Sequence, residues 1–154
     1  MKKAVIFDID GVLAKKSPDR EYRDYDKVDL DSPIEQGFEL LYHYTRNEYA
    51  IILVTGRKEL CREKTQEFLA IHSTYQSKVS KIPFEYFEVT GFLQMRNNND
   101  NRPAVILKKE IYDTYIKDKY KVVAVFEDDP IICEMYKKEG LFVFQVGTRD
   151  NFNL

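Results

Sequence analysis

The stretch "AVIFDIDG", residues 4–11, places two aspartates directly after a run of four apolar residues. Apolar runs of this kind are typical of buried strands, and residues two apart in a strand point to the same face. Asp8 and Asp10 would therefore both face one spot at the end of a core strand. Burying a carboxylate there is costly unless the charge is compensated. The stretch predicts a chemical role for that spot.

Strand-like and helix-like segments alternate along the chain, which predicts an α/β fold with a parallel sheet covered by helices. Strands are expected at 3–8, 49–57, 83–89, 121–129 and 141–146, and helices at 32–47, 58–72, 107–120 and 130–140. Ser32 is the expected N-cap of the first helix, with Pro33 at the first helical position. The polar segment 97–102 is expected to be a loop.

The composition predicts one globular domain spanning residues 1–154, since 44% of the residues are hydrophobic. Cys61 and Cys133 lie far apart without a CxxC pair, so reduced thiols in a cytoplasmic protein are expected. Acids at Asp8 and Asp10 interrupt the N-terminal apolar run well short of a signal peptide or membrane span. A net charge of −2 excludes a generally basic nucleic-acid binder and leaves room for a local basic patch.

Parallel sheets place ligands beyond the carboxyl ends of their strands, and three of the expected strands end in polar groups. These groups are Asp8 and Asp10 on the first, Thr55, Gly56 and Arg57 on the second, and Glu127, Asp128 and Asp129 on the third. Five acids at one edge would repel one another unless a cation lies among them, and oxygen ligands without Cys or His indicate Mg²⁺. One aspartate could then attack phosphorus while the other handles the proton.

Taken in order, "DIDGV", "VTGR", Lys108 and "EDD" resemble the four motifs of the haloacid dehalogenase (HAD) superfamily of phosphotransferases, over about residues 3 to 146. The resemblance implies a Rossmann-like parallel sheet flanked by helices. It also implies that Asp8 is the nucleophile that becomes aspartyl-phosphate, and that Asp10 is the general acid and base, with its backbone carbonyl on the metal. Thr55 would hydrogen-bond the phosphoryl group, and Lys108 would neutralise charge on it and on Asp8.

Four further segments narrow the resemblance to the 3'-phosphatase domain of phage polynucleotide kinase-phosphatases. They are "YRDYD" (22–26), "MRNNNDNRP" (95–103), "KKEIY" (108–112) and "EMYKKEGLFVFQV" (134–146). By this resemblance Arg23 and Arg57 engage the substrate phosphate. Ala104 stands where the family carries an acid four residues before the lysine. Glu127 stands where it has the first of two aspartates, so the metal ligand is either Glu127 or Asp128.

The spacing of the motifs leaves no room for a large cap domain. Only about twenty residues separate Val12 from Ser32, and residues 58–103 must already hold a helix and a strand. An open edge admits a polymer end, whereas a small substrate would be poorly shielded from water. None of the six glycines supplies a GxxxxGK[ST] phosphate-binding loop. A phosphatase-only version is therefore expected, or a partner of a separate kinase or ligase.

The expected function is Mg²⁺-dependent removal of the terminal 3'-phosphate of a polynucleotide, DNA or RNA, through an aspartyl-phosphate. Basic residues could form an approach for the backbone, namely Lys15, Lys16, Arg20, Arg23, Arg96 and Arg102. Aromatic residues that could stack on a base are Tyr22, Tyr25 and Phe92. Two alternatives remain open. One is a phosphatase for free nucleotides or other small phosphomonoesters, and the other is a catalytically silent module that binds nucleic-acid ends or a kinase.

Overall fold

The computed structural model describes residues 1–76 and 92–147. A parallel five-stranded sheet in the order β5-β4-β1-β6-β7 forms the centre of the described part. The strands are β1 (Lys2–Phe7), β4 (Ala50–Lys58), β5 (Phe92–Arg96), β6 (Tyr120–Glu127) and β7 (Val143–Gln145). A short antiparallel ladder joins β2 (Ala14–Lys15) to β3 (Ser32–Pro33). The predicted fold class is confirmed.

Helices cover both faces of this sheet. They are α1 (Glu35–Arg46), α2 (Arg62–Gln76), α3 (Ala104–Ile111) and α4 (Pro130–Lys138). Short 3-10 helices span Tyr25–Leu30 and Glu59–Cys61, and a π-helical turn, Tyr112–Ile116, follows α3. One core cluster joins alternate β1 residues to α1 and α2, and the other joins the remaining β1 residues to α3 and α4. Each helix pair therefore buries its apolar face on one side of the sheet.

Strand β1 is the central strand, and its position explains the apolar run in the sequence. It pairs with β4 on one side and β6 on the other, so both of its faces are covered. The residues from Ala4 to Phe7 are at most 1% exposed. The Phe7 ring stacks on Phe126 of β6 at 4.9 Å between centroids. The carboxyl end of β1 therefore lies between those of β4 and β6, which puts Asp8 in the middle of that edge.

The expected N-cap of the first helix is wrong. Helix α1 begins at Glu35 after Ile34, and no side chain caps it. Ser32 instead pairs with Lys15 in the β2–β3 ladder, and the Ile34 amide donates to the Leu13 carbonyl at 2.8 Å. These hydrogen bonds hold the backbone from Ser32 to Ile34 in an extended conformation. A helix therefore cannot begin at Pro33.

Several other boundaries differ from the expectations. Strand β4 continues to Lys58, and β5 lies beside it at 92–96, where no strand is expected from the sequence. Helix α3 begins at Ala104, so Lys108 lies in its second turn and does not open the helix. The strand expected at 83–89 lies outside the described residues. The polar segment 97–102 is a loop, as predicted.

The described residues contain no inserted cap domain. Between β1 and α1 there are only the β2–β3 ladder and one short 3-10 helix, so none of the described residues forms a domain over the carboxyl edge of the sheet. No helix in the described ranges is both long and apolar enough to cross a membrane. Both cysteines in the sequence are unpaired and buried.

Candidate active site

Asp8 lies directly after β1 and forms a buried ion pair. Its amide donates to the Phe126 carbonyl at 3.0 Å, which continues the pairing with β6. Its carboxylate Oδ1 accepts a hydrogen bond from Lys108 Nζ at 2.8 Å, and the same ammonium donates to Glu127 Oε2 at 2.7 Å. Side chains from β1, α3 and β6 thus meet at one point, because α3 packs over the strands that end there.

A third carboxylate, that of Asp128, completes what we call the nucleophile cluster: Asp8, Lys108, Glu127 and Asp128. Oxygen atoms of the three acids lie within 4.8 Å of one another. Burial, reinforced by the Glu127 carboxylate, raises the pKa of Asp8 to about 8. Burial and the Asp8 carboxylate raise the pKa of Asp128 to about 7. One ammonium cannot balance three carboxylates, and a set of oxygen ligands without His or Cys fits a Mg²⁺ ion.

Glu127 and Asp128 use their carboxylates differently. Glu127 Oε2 accepts from Lys108, and its Oε1 accepts from the amides of Asp128 and Asp129 at 3.1 and 3.2 Å. Both Glu127 oxygens are therefore already engaged. The Asp128 carboxylate lies against Gly11, where an added Cβ would overlap Asp128 Oδ2. Gly11 also has φ +85°, so its position requires glycine on two counts.

Asp129 stands apart from this cluster. Its side chain accepts a hydrogen bond from the Ile131 amide at 2.8 Å and so caps the N-terminus of α4. An acidic cap of this kind satisfies an amide at the end of the helix that carries positive dipole charge. Only Glu127 and Asp128 of the "EDD" motif therefore reach the nucleophile cluster.

A second group of charges, which we call the arginine cluster, consists of Asp10, Arg20, Asp31 and Arg57. Arg57 Nη2 donates to Asp10 Oδ1 and to Asp31 Oδ2, both at 2.8 Å. Arg20 donates to both carboxylate oxygens of Asp31, from Nε to Oδ1 at 2.7 Å and from Nη2 to Oδ2 at 2.6 Å. Its Nη2 also lies 3.6 Å from Asp10 Oδ1. Two carboxylates face two guanidinium groups, so the arginine cluster is balanced within the protein.

The expectation that all five acids at this edge gather in one group needs correction. Asp10 is not part of the three-carboxylate group found among the described residues. Its carboxylate turns to Arg57, because the chain bends after β1 at Gly11 and pairs Asp10 with Ala14. The acids at this edge therefore divide between two clusters and do not form one.

Two residues of the arginine cluster are absent from the predicted site. Arg20 is expected on an open basic surface, but it is only 4% exposed because Asp31 holds it. Asp31 receives no role from the sequence. Its partners Arg20 and Arg57 lie 11 and 26 positions away, so no local pattern could have marked it.

The second-motif residues and the 97–102 loop are joined by hydrogen bonds. Thr55 is fully buried near the carboxyl end of β4, and its Oγ1 accepts from the Arg57 amide at 3.1 Å. Arg96 Nε donates to the Gly56 carbonyl at 2.8 Å, and its Nη1 donates to the Arg102 carbonyl at 2.6 Å. Arg96 is therefore mostly buried and ties the loop to the second motif, which corrects its expected place on an open basic approach.

Three predicted substrate-binding arginines nevertheless line one cavity of about 600 Å³, namely Arg23, Arg96 and Arg102. Arg23 is exposed. Arg102 is partly exposed and forms ion pairs with Asp100 and Glu110, both at 2.7 Å. Positions far apart in the sequence thus meet beside the second motif.

Together, the fold and the site define a phosphatase of the haloacid dehalogenase (HAD) type: an open parallel sheet with a buried aspartate after the first strand and a lysine on its carboxylate. The model of the family described as the polynucleotide kinase PNKP phosphatase domain matches residues 2–152. The chain belongs to this family.

Two solved structures are similar to this chain in sequence and in fold. A chain of the Pnkp1/Rnl/Hen1 complex is 31% identical, with a TM-score of 0.79, and the match covers 96% of this chain and 46% of that one. A second structure, of the Pnkp1/Rnl/Hen1 RNA repair complex, is also 31% identical with a TM-score of 0.79, over 97% and 43% of the two chains. The protein therefore spans less than half the length of these two chains.

Two more distant relatives are similar over most of this chain. A protein of Autographa californica nuclear polyhedrosis virus, named as a bifunctional polynucleotide kinase/RNA ligase, is 25% identical over 138 residues, which make up 88% of this chain and 18% of the viral protein. The D,D-heptose 1.7-bisphosphate phosphatase of B. bronchiseptica, complexed with magnesium and phosphate, is 16% identical with a TM-score of 0.56 over 96% and 82% of the two chains. The last comparison shows the shared fold alone.

Proposed function

We propose that the protein is a Mg²⁺-dependent phosphomonoesterase that removes the terminal 3'-phosphate of a polynucleotide through an aspartyl-phosphate on Asp8. The observation that carries the proposal is the buried Asp8 carboxylate, which lies 2.8 Å from Lys108 in a group of three acids. An activated carboxylate is a known nucleophile for phosphorus, and it splits one difficult displacement into two easier ones.

In the first step a carboxylate oxygen of Asp8 attacks the phosphorus, and the bond from phosphorus to the substrate 3'-oxygen breaks. Asp10, which enters this step in its protonated form, gives its proton to that oxygen as it leaves, and so acts as general acid. The proton taken from water in the second step restores that form. Lys108 remains protonated: burial opposes its charge, but Asp8 and Glu127 outweigh burial and raise its pKa above the usual value. The ammonium thus offsets negative charge on the phosphoryl group and on Asp8.

In the second step a water molecule attacks the phosphorus of the aspartyl-phosphate. Asp10, now ionised, accepts the water proton, and inorganic phosphate leaves with Asp8 regenerated. Arg57 holds the Asp10 carboxylate through two hydrogen bonds, from Nε at 3.0 Å and from Nη2 at 2.8 Å. A positioned base needs such support to remain within reach of the water proton. The proposed role of the Thr55 hydroxyl is a hydrogen bond to an oxygen of the phosphoryl group.

The proposed metal ligands are the carboxylates of Asp8 and Asp128 and the backbone carbonyl of Asp10. Glu127 is the less suitable ligand, because Lys108 and two amides already occupy its oxygens. When bound, Mg²⁺ would supply positive charge to the phosphate and to the excess of carboxylates. The proposed role of Glu127 is to hold Lys108 against Asp8.

Family membership and the basic cavity support a nucleic-acid end as the substrate. The names of relatives refer to polynucleotide kinase, RNA ligase and RNA repair. By analogy with these relatives, we propose that the protein is a 3'-phosphatase that works with a separate kinase or ligase in the cytoplasm. The open edge of the described sheet leaves room for a polymer end, which supports this substrate over a small phosphomonoester.

Phosphate release from matched oligonucleotides tests the function. We expect a 3'-phosphorylated oligonucleotide to be hydrolysed about tenfold or more faster than free nucleotide monophosphates at equal concentration, because the oligonucleotide adds contacts beyond the reacting group. The same oligonucleotide with a 5'-phosphate is the positional control, and chelation of Mg²⁺ should stop release from all substrates. Equal rates for the oligonucleotide and free nucleotides would favour the small-molecule phosphatase.

A further inference from the structure

The basic cavity adjoins the place where the proposed reaction occurs. It lies at the carboxyl ends of β4 and β5 and at the first turn of α3. Lys58, on its wall, follows Thr55 by three residues, and Ala104, also on its wall, precedes Lys108 by one helical turn. A substrate whose phosphate lay between Thr55 and Lys108 would have this cavity beside it.

The charged residues that line the cavity are mainly cationic. Four basic side chains line it, and Asp100 is the one acid among its lining residues. Asp100 pairs with Arg102 at 2.7 Å and lies 3.8 Å from Arg96. Arg102 also pairs with Glu110. Two of the four cations are therefore committed to the loop itself and hold it in place.

The other two cations, Arg23 and Lys58, have no acidic partner among the described residues. Arg23 is exposed, and no ion pair joins it to any residue within the described ranges. Lys58 Nζ donates to the neutral side-chain oxygen of Asn101 at 2.8 Å, which leaves its positive charge unbalanced. Two cations without an acidic partner on a cavity wall suit an anionic group of a ligand.

Several of the other lining residues are small or apolar. Gly56 and Ala104 are near neighbours, since a Cβ added at Gly56 would lie 3.8 Å from the Ala104 Cβ. Ala104 lines the cavity, so this part of the wall carries no negative charge that would repel an anionic ligand. Leu60 and the half-buried Tyr25 add apolar surface to the lining.

From these features we infer that the cavity is a subsite for the terminal nucleotide, and that it binds the 5'-phosphate of that nucleotide on Arg23 and Lys58. The sugar and base would lie along Tyr25 and Leu60. The smallest unit that fills the whole site is then a nucleoside 3',5'-bisphosphate, with its 3'-phosphate at Asp8. This inference rests on the proposed function for the direction in which the substrate lies.

Calorimetric titration of the D8N protein with Mg²⁺ present tests the subsite without turnover. We expect a nucleoside 3',5'-bisphosphate to bind about tenfold more tightly than the nucleoside 3'-monophosphate, since one charge-assisted contact corresponds to roughly that factor. Adding Arg23→Ala or Lys58→Ala should reduce the ratio to about threefold or less, because each removes one of the two free cations. Affinity for the 3'-monophosphate should change little.

Two further variants in the same background sharpen the test. Ala104→Asp should abolish the preference for the bisphosphate, while an acid in the first turn of α3 is compatible with the helix dipole. Arg46→Ala is the matched control, because Arg46 is an exposed arginine that ends α1 before β4 begins, at the opposite edge of the sheet. It should leave the ratio unchanged.

Equal affinity of the two nucleotides, or no measurable binding of either, overturns the subsite. An equal loss of the ratio in the Arg46 variant overturns the assignment to Arg23 and Lys58. Hydrolysis of an aryl phosphate by the protein with Asp8 intact tests the proposed function separately. No hydrolysis together with a preserved binding ratio would refute the catalytic proposal and support the subsite.

Discussion

The nucleophile cluster and the arginine cluster lie side by side at the carboxyl edge of the sheet, but they differ in charge balance. The first holds three carboxylates and one ammonium, all of them mostly buried. The second holds two carboxylates and two guanidinium groups, joined by hydrogen bonds of 2.6 to 3.0 Å. The first cluster therefore lacks positive charge, whereas the second supplies its own.

Their protonation equilibria follow from this difference. Burial and neighbouring acids raise the pKa of Asp8 to about 8 and that of Asp128 to about 7. Burial also acts on Asp31, but hydrogen bonds from Arg20 and the Ser17 amide outweigh it and lower the pKa of Asp31. The nucleophile cluster is thus suited to a cation and an incoming phosphate, and the arginine cluster to holding Asp10 in a fixed position.

The largest expected effect comes from Asp8→Asn. The amide keeps the shape of the side chain but removes the nucleophilic charge, so kcat should fall by about 10⁴-fold or more. Rapid-quench trapping should detect a phosphoryl-enzyme in the unchanged protein and none in the variant. Circular dichroism should show that the fold is retained. Full turnover by Asp8→Asn would contradict the mechanism.

The second effect concerns the metal. If Asp128 is a ligand and Glu127 holds Lys108, then Asp128→Asn should raise the Mg²⁺ concentration at half-maximal activity by roughly 100-fold, and Glu127→Gln by much less. Asp129→Asn is the matched control, because Asp129 caps α4 outside the cluster. Magnesium titrations of the three variants decide the question, and a stronger effect of Glu127→Gln would make Glu127 the main ligand.

The third prediction compares the two clusters by their contribution to the free energy of unfolding. Asp31→Asn removes the charge that two buried guanidinium groups share, so the free energy of unfolding should fall by roughly 2 kcal/mol, with or without Mg²⁺. In metal-free buffer Asp128→Asn should have the opposite sign, because it relieves repulsion with Asp8. Urea unfolding measures both variants. Equal destabilisation by the two would show that the clusters do not differ in charge balance.

The pattern of residues predicts the parallel sheet, and the order of the motifs predicts most of the residues that meet at its carboxyl edge. The apolar run ending at Asp8 gives the central strand, and the order of the motifs brings Lys108 and the "EDD" acids to the same edge of the sheet. Such predictions succeed because strand burial is encoded by a local run of residues, and because parallel strands all end at one edge.

Which charged groups pair with one another at that edge depends on tertiary contacts. The turn at Gly11 separates the carboxylates of Asp8 and Asp10, and the β2–β3 ladder brings Asp31 to Arg57. The cavity likewise joins Arg23 to Lys58 across 35 positions of sequence. Partners at such separations leave no periodic or local pattern, since the backbone path between them fixes which charges meet, and that path forms only when the chain folds.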